Sequence, residues 1–311
     1  MKKIAVIGSN MVDLITYTDR MPKGGETLAA PAFKMGCGGK GANQAVAAAK
    51  LGADILMVSK VGDDMFADNT IRNFQSYGIN TKYVSKMPQV SSGVAPIFVH
   101  SSSQNAILVI KGANEYLTPY DIDKAKDAIM ECGLIVLQLE VPLETVYYAI
   151  DLGNKYNIPV LLNPAPAVAD LDIEYACRCD FFMPNETELE TLVGEPVQTI
   201  EQIKNAANIL LNKGLKNVIV TMGSKGALWL SQHGDEAFIE SVKVNAVDAS
   251  GAGDAFIGCF SHYFLQTNDV LTSLRKATLF AALSVTEKGT QFSYPSIEQF
   301  KAFEQKNNKK H

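Results

Sequence analysis

The segment Ala246-Val247-Asp248-Ala249-Ser250-Gly251-Ala252-Gly253-Asp254-Ala255-Phe256 sets small residues and a carboxylate at the start of an expected helix. Glycines let backbone N–H groups come close to a ligand, and a helix N-terminus carries partial positive charge that favours an anion. Asp254 would then stand where it can take a proton from an attacking hydroxyl. Anion binding beside a base suits phosphoryl transfer, in which positioning and electrostatics do most of the catalysis.

Three further groups of residues bear on that chemistry. Gly36-Cys37-Gly38-Gly39-Lys40-Gly41-Ala42-Asn43-Gln44-Ala45 wraps four glycines around a lysine and opens a helix. Its spacing is not that of a Walker loop, and glycine clusters also make simple turns. Lys40 and Asn43 nevertheless offer polar groups able to hold hydroxyls beside a closely approaching backbone. Asn185-Glu186-Thr187-Glu188 follows an expected strand, at the end of a sheet where ligands bind. Glu188 there either reaches a metal through water or closes a capping box with Asn185, and the two roles are compatible. Thr221-Met222-Gly223-Ser224-Lys225-Gly226 reads either as a phosphate-holding loop or as a turn between strands, and Glu140 as either a solvated carboxylate or a sugar ligand.

These groups need a scaffold. Short apolar runs at Ile4 to Gly8, Leu134 to Leu139, Pro159 to Leu162, Phe181 to Met183 and Val218 to Thr221 read as strands. Helical spacing at Ala42 to Leu51, Leu143 to Tyr156 and Ile200 to Lys213 alternates with them, which predicts a mostly parallel sheet covered on both faces. Two segments, about 14–35 and 91–111, break the alternation. In the second, Gly93 to Val99 and Ala106 to Ile110 form an expected hairpin around polar Ser101 to Asn105, so a separate small sheet acting as a lid is predicted. The tail Lys301 to His311 is expected to fray.

At 311 residues and 47% hydrophobic content the chain is read as a single domain over residues 1–311. Its net charge of −5 comes from interspersed charges, which gives no basis for a nucleic-acid or membrane partner. The apolar run after Met1-Lys2-Lys3 stops at Gly8, far short of a signal or membrane-spanning segment, and a cytoplasmic location is expected. Five cysteines, only Cys177 and Cys179 close together, and four scattered histidines support neither a zinc site nor a histidine triad.

Taken in order, Gly38 to Ala45, Asn185 to Glu188, Thr221 to Gly223 and Gly251 to Asp254 resemble the ribokinase family of carbohydrate kinases across nearly the whole chain. The resemblance implies a three-layer α/β/α fold with a β-sheet lid that pairs two subunits, and a pentose and ATP as substrates. It implies Asp254 as the base, with the N–H groups of Gly251, Ala252 and Gly253 around the transferred phosphoryl group. Asp13, Gly39, Lys40, Asn43 and Glu140 match sugar-binding positions, with Met11, Val12, Gly41 and Ala42 beside them. Asn185, Thr221, Met222, Gly223, Ser224, Lys225, Gly226, Gly253, Asp254 and Thr278 fall on the nucleotide side. Glu188 matches a carboxylate that organises Mg²⁺, and Asp248, Ser250, Ser284, Glu287, Gly289 and Ser293 match an activating K⁺ site.

Two positions depart from the family pattern. Ala249 replaces a common threonine beside the cation loop. Met11 stands where ribokinases usually carry an asparagine next to the ribose 2-hydroxyl, and a thioether is only a weak acceptor. A site built to bond a hydroxyl rejects the deoxy analogue by roughly 10⁴-fold, whereas an apolar pocket rejects an added hydroxyl by only about 10²-fold. Met11 therefore either favours 2-deoxyribose, with phosphorylation at O5 and ribose as the weaker substrate, or simply packs in the core. A ribose-preferring kinase and a non-catalytic sugar-binding protein of the same fold are the competing readings. A nicotinamide oxidoreductase is disfavoured because Gly8-Ser9-Asn10-Met11 lacks the dinucleotide fingerprint.

Overall fold

The computed structural model describes residues 2–100 and 105–308. Strand β1 (Lys3–Ile7) leads into β2 (Met11–Thr18) and β3 (Ala32–Gly38), and helix α1 (Lys40–Lys50) follows directly. Next come β4 (Ile55–Val61), α2 (Met65–Ser76), β5 (Asn80–Lys86), β6 (Val94–His100) and β7 (Asn105–Ile107). The middle of the chain alternates: α3 (Pro119–Met130), β8 (Cys132–Leu137), α4 (Leu143–Tyr156), β9 (Val160–Leu162), α5 (Ile173–Ala176), β10 (Phe181–Phe182), α6 (Glu186–Val193) and α7 (Ile200–Asn212). It closes with β11 (Asn217–Thr221), β12 (Gly226–Ser231), β13 (Glu236–Glu240), α8 (Ala252–Thr267), α9 (Val270–Ser284) and α10 (Ile297–Asn308).

The main sheet runs β13-β12-β11-β10-β9-β8-β1-β4-β5, parallel from β11 to β5 with β12 and β13 antiparallel at one edge. Alternation along β1 shows why both faces are covered: Ala5 and Ile7 join one buried cluster while Ile4 and Val6 join the other. Helices α3, α4, α6 and α7 pack on the first face; α1, α2, α8, α9 and α10 pack on the second. The expected three-layer α/β/α fold is therefore the one observed.

The small sheet runs β3-β2-β6-β7, with β2 and β6 parallel and the other two pairs antiparallel. Its bounds are wider than residues 14–35 suggest, because pairing begins with Met11 opposite Gly38. The strands thus reach down to the main sheet, and Met11 to Asp13 belong to the root of the lid. Of the polar turn expected at Ser101 to Asn105, residues 101–104 lie outside the described residues. One buried amide ties the lid's crossings together: Asn114 donates to the carbonyls of Asn10 and Lys111 at 2.8 Å each and accepts the Asn10 N–H at 3.0 Å.

One expectation needs correction: the tail from Lys301 continues α10 to Asn308, and residues 309–311 lie outside the described residues. Ser296 and Gln299 explain it, since each side chain bonds the other's backbone N–H, at 3.3 and 2.7 Å, in the reciprocal pattern that starts a helix. Phe300 then locks the helix down against Phe280 on α9, ring centroids 5.3 Å apart.

Helix α8 also carries His262, which is buried, and desolvation of its charged form lowers its pKa from 6.5 to about 4. The unfolded chain takes up this proton below about pH 6.5 while the folded chain does not, so stability must fall as pH drops from 6.5 towards 4. Urea unfolding at pH 7 and pH 4.5 should show His262→Gln losing less stability on acidification than the parent chain, by about 2 kcal/mol. Equal losses in both proteins would refute the assignment.

Candidate active site

The site begins where α1 crosses α8. Alanines 45, 47 and 48 give α1 a shallow face, and Gly258 lets α8 lie against it, because a Cβ at that position would fall 2.6 Å from both the Ala47 methyl and the Gln44 carbonyl oxygen. This close approach delivers two amides to the first turn of α8. Asn43 Nδ2 donates to Asp254 Oδ2 at 3.0 Å, and Gln44 Nε2 donates to Asp254 Oδ1 at 2.9 Å. Asp254 is only 7% exposed, and burial pushes its pKa above the ordinary aspartate value, opposed by Lys40 and by these two donors.

Gly251 caps α8 with φ 74°, a conformation that disfavours a side chain, and a Cβ there would also lie 2.6 Å from the Tyr294 hydroxyl. That hydroxyl donates to the Gly251 carbonyl at 3.1 Å, which fixes the turn leading to Asp254. Of the three N–H groups read as a phosphoryl cradle, that of Ala252 is engaged by the Ala249 carbonyl at 3.2 Å. Gly251 and Gly253 are left as the candidate donors, and no atom lies within 4 Å of a Cβ built on Gly253.

Two cavities meet at this turn. A small one of about 170 Å³ is lined by Lys40, Glu188, Gly251, Gly253 and Asp254, with Asn163 and Asn185. A larger cleft of about 640 Å³ is lined by Asn185, Thr221, Gly223, Ser224, Gly226, Gly253 and Thr278. Asn185, Thr221 and Gly253 line both. The hydroxyl of Thr278 is buried without a hydrogen-bond partner in the structure, in the wall of the larger cleft.

Sequence reading placed two residues on the cleft that line neither cavity. Met222 turns into the hydrophobic core, and Lys225 pairs with Glu186 of the cleft wall, with Nζ 2.9 Å from Oε1. It also missed Val242, Val244, Phe256 and Val285, which give the cleft apolar walls. None of these carries a motif: they come from a β13 exit loop and from helix faces that only the tertiary fold aligns.

On the other side of Asp254 lie the residues read as sugar ligands. Gly39 and Gly41 press against the backbone of Asn10 to Met11 and of Ser9, and the Glu140 carboxylate accepts from the Lys40 N–H at 2.9 Å and from the Ser9 hydroxyl. Ala42 and Val12 are buried in the packing behind them. Asp13 lies over Gly38, and its pKa is pushed up to about 7, first by burial and then by the charges of Glu140 and Asp254. Lys40 answers this cluster: burial opposes its charge, yet Asp254, Glu140 and Glu188 together raise its pKa. Met11 is buried, and its sulfur lies 3.7 Å from Asn114 Nδ2.

Glu188 and Asn185 form the capping box, with Asn185 N to Glu188 Oε2 and Glu188 N to Asn185 Oδ1 both 2.8 Å. Burial raises the Glu188 pKa, and the Asn185 N–H and Lys40 pull it back. Of the residues read as a K⁺ site, Ser250 and Gly289 are linked through Asp248. Asp248 accepts N–H groups from Ser250 and Gly289 at 2.9 Å each, and these bonds outweigh burial to hold its pKa low. The Ser284 and Ser293 hydroxyls donate to the carbonyls of Ala281 at 2.9 Å and Thr290 at 2.7 Å. Glu287 is exposed on the same loop.

Comparison with known proteins shows the family. The model of the pfkB family carbohydrate kinases matches residues 1–297. The chain belongs to that family. A deoxyribokinase of Salmonella typhi is 67% identical over 300 residues, covering 96% of this chain and 98% of the relative. The ribokinase of Mus musculus is 38% identical over 295 residues, covering 94% of this chain and 91% of the relative. Among solved structures, Arabidopsis thaliana ribokinase complexed with ribose and ATP is similar with a TM-score of 0.91 and 29% identity, covering 97% of this chain and 98% of the other. As a pfkB family carbohydrate kinase, the chain is a sugar kinase. Gln44 is the site residue most exposed to oversight, since it stands inside the glycine–lysine motif yet had no role assigned from sequence.

Proposed function

We propose that this kinase transfers the γ-phosphoryl group of ATP to O5 of 2-deoxy-D-ribose, giving 2-deoxy-D-ribose 5-phosphate, with D-ribose as the weaker substrate. The observation that carries the reading is a buried Asp254 carboxylate, held by two amides, at the helix N-terminus where the two cavities join. The 67% identity to a deoxyribokinase supports the choice of sugar.

The pentose lies between Asp13, Lys40, Asn43 and Glu140, with its terminal hydroxyl towards Asp254, which accepts the proton as the oxygen attacks phosphorus in line. ATP occupies the larger cleft: its phosphates run past Asn185 and Thr221 to Gly253, and its base and ribose lie along the apolar walls near Thr278. The N-terminus of α8, with the Gly251 and Gly253 N–H groups, faces the charge that builds on the transferred group. Lys40 offsets the gathered carboxylates and can meet the same charge.

Glu188 lines the small cavity beside the Asp254 carboxylate, and so small a carboxylate set suits Mg²⁺ held chiefly by phosphates and water. When bound, Mg²⁺ supplies neutralisation of the phosphate charge. The Asp248 loop, with hydroxyl and backbone oxygens from Ser250, Ser284, Gly289 and Ser293 and nearby Glu287, fits a weakly charged cation such as K⁺. Asp248 ties the segment before α8 to the segment after α9.

Met11 sets the sugar preference. Both hydrogens of the buried Asn114 amide behind Met11 go to backbone carbonyls at 2.8 Å, so at this position a 2-hydroxyl would meet a thioether and no spare donor. A deoxy carbon loses nothing there. The lid supplies the water exclusion that phosphoryl transfer needs, and its face opposite Asp13 exposes Phe33 (61%), Met35 (48%) and Leu108 (62%), an apolar patch that pairs with a second copy of the chain.

Initial rates with ATP, Mg²⁺ and each pentose, in K⁺ and in Na⁺ buffers, test the whole reading: deoxyribose should outpace ribose and K⁺ should raise the rate. No turnover with any pentose would leave a sugar-binding protein, and faster ribose turnover would leave a ribokinase. Asp254→Asn should lower kcat by about 10²- to 10⁴-fold with sugar binding retained, and near-normal turnover would remove Asp254 as the base. Met11→Asn should raise the ribose-to-deoxyribose ratio of kcat/KM by about tenfold or more, and an unchanged ratio would take Met11 out of the specificity. Sedimentation should show a dimer that Phe33→Ser with Leu108→Ser converts to monomer; a monomeric parent chain would end the lid-pairing proposal.

A further inference from the structure

The base is connected to residues well outside both cavities. Asn73 on α2 donates to Gln291 Oε1 at 2.7 Å, Gln291 Nε2 donates to Asn43 Oδ1 at 3.0 Å, and Asn43 Nδ2 donates to Asp254 Oδ2 at 3.0 Å. On the other carboxylate oxygen, Gln138 Nε2 donates to Gln44 Oε1 at 2.6 Å and Gln44 Nε2 donates to Asp254 Oδ1 at 2.9 Å. Gln44 Nε2 also lies 3.2 Å from Asn163 Oδ1, and Asn163 Nδ2 donates to the Met183 carbonyl at 2.8 Å.

Every link in these two chains runs the same way. Gln291, Asn43 and Gln44 each accept at the side-chain oxygen and donate from the nitrogen in the direction of the carboxylate, so both chains end in N–H groups aimed at Asp254, while the Oε1 of Gln138, at the head of the second chain, is buried without a partner. An amide can rotate by half a turn and exchange its donor for its acceptor, which would set a carbonyl oxygen against the carboxylate. The upstream donor prevents this, since a flipped amide would face it nitrogen to nitrogen. Lys50, on the last turn of α1, fixes the chain's other partner by donating to the Gln291 carbonyl at 2.8 Å. Gln138, Gln44, Asn43 and Gln291 are all buried, so water cannot readily replace a lost link.

We propose that Asn73, Gln291 and Gln138, which line neither cavity, are positioning residues for phosphoryl transfer: they keep the Asn43 and Gln44 amides turned with their N–H groups towards Asp254 and so fix the plane of its carboxylate. The proposal rests on Asp254 being the base. The lowering influence of Asn43 and Gln44 on Asp254 agrees with it.

Asn73→Asp is the discriminating variant, because it keeps shape and removes only the donor, and Asn73 is partly exposed and tolerant of change. The new carboxylate draws the Gln291 nitrogen towards itself, which reverses the chain. Expected is a fall in kcat of about 10- to 100-fold, with the KM values for sugar and ATP, and sugar affinity by calorimetry, within about twofold of the parent. Gln291→Met, which cuts the same chain without adding charge, should act likewise, and Gln138→Met should do so through the other oxygen. If Asn73→Asp fails to fold, the two methionine variants decide. Unchanged kcat in the folded variants, or kcat falling together with sugar affinity, would overturn the proposal. Such a result beside an inactive Asp254→Asn would leave the base in place and remove only the relays, whereas an active Asp254→Asn would remove the base itself.

Discussion

The structure turns on keeping one carboxylate charged inside a largely dry pocket. Burial alone drives Asp254 towards its neutral acid, which could not accept a proton from a sugar. Four features oppose that drift: the Asn43 and Gln44 amides, the Lys40 charge and the N-terminus of α8. The last belongs to the helix that carries Asp254, and the crossing of α1 on α8 at Gly258 is what brings the other three to it. The same crossing explains why α1 is so rich in alanine, since bulkier residues would part the helices and draw both amides away from the base.

Much of this was legible in the sequence because the relevant signals are local. A glycine-rich turn opening a helix is read from spacing alone, and Gly251 to Asp254 stands in the structure as the spacing implies. The capping box of Asn185 and Glu188 and the lid hairpin are equally local. What stayed hidden depends on separation along the chain. The partners of Asp254 are roughly two hundred residues upstream, and Gln138, Asn163 and Gln291 look like ordinary polar residues until the sheet aligns them. Met222 shows the opposite error: it follows Thr221 in a ligand-facing motif, yet a strand's alternation sends its side chain into the core. The tail helix was lost because the Ser296 and Gln299 cap lies just before a polar stretch whose helical face has few apolar residues.

The electrostatics around the pentose site have a shared logic. Glu140, Asp254 and Glu188 all bear on one ammonium, that of Lys40, and Asp13, whose pKa burial already raises, is pushed further up by Glu140 and Asp254. A neutral polyol suits such surroundings, for it can donate hydroxyls to crowded carboxylates without adding charge. The anionic nucleotide is kept apart, across the α8 turn, where main-chain N–H groups and a helix end replace carboxylates. On the proposed reading, two substrates of different charge take the two sides of a single turn.

The knot that Asn114 makes with Asn10 and Lys111 has a mechanical consequence. Strands entering and leaving the small sheet are bound at a common root, so the sheet must swing as one leaf, with displacement growing along its length. Met11 and Asp13, near the spindle, would scarcely travel, while Phe33 and Ile107 towards the rim would sweep widely. On the proposed reading, discrimination between pentoses would then sit at the stationary root of the cover and stay in register as the cover opens.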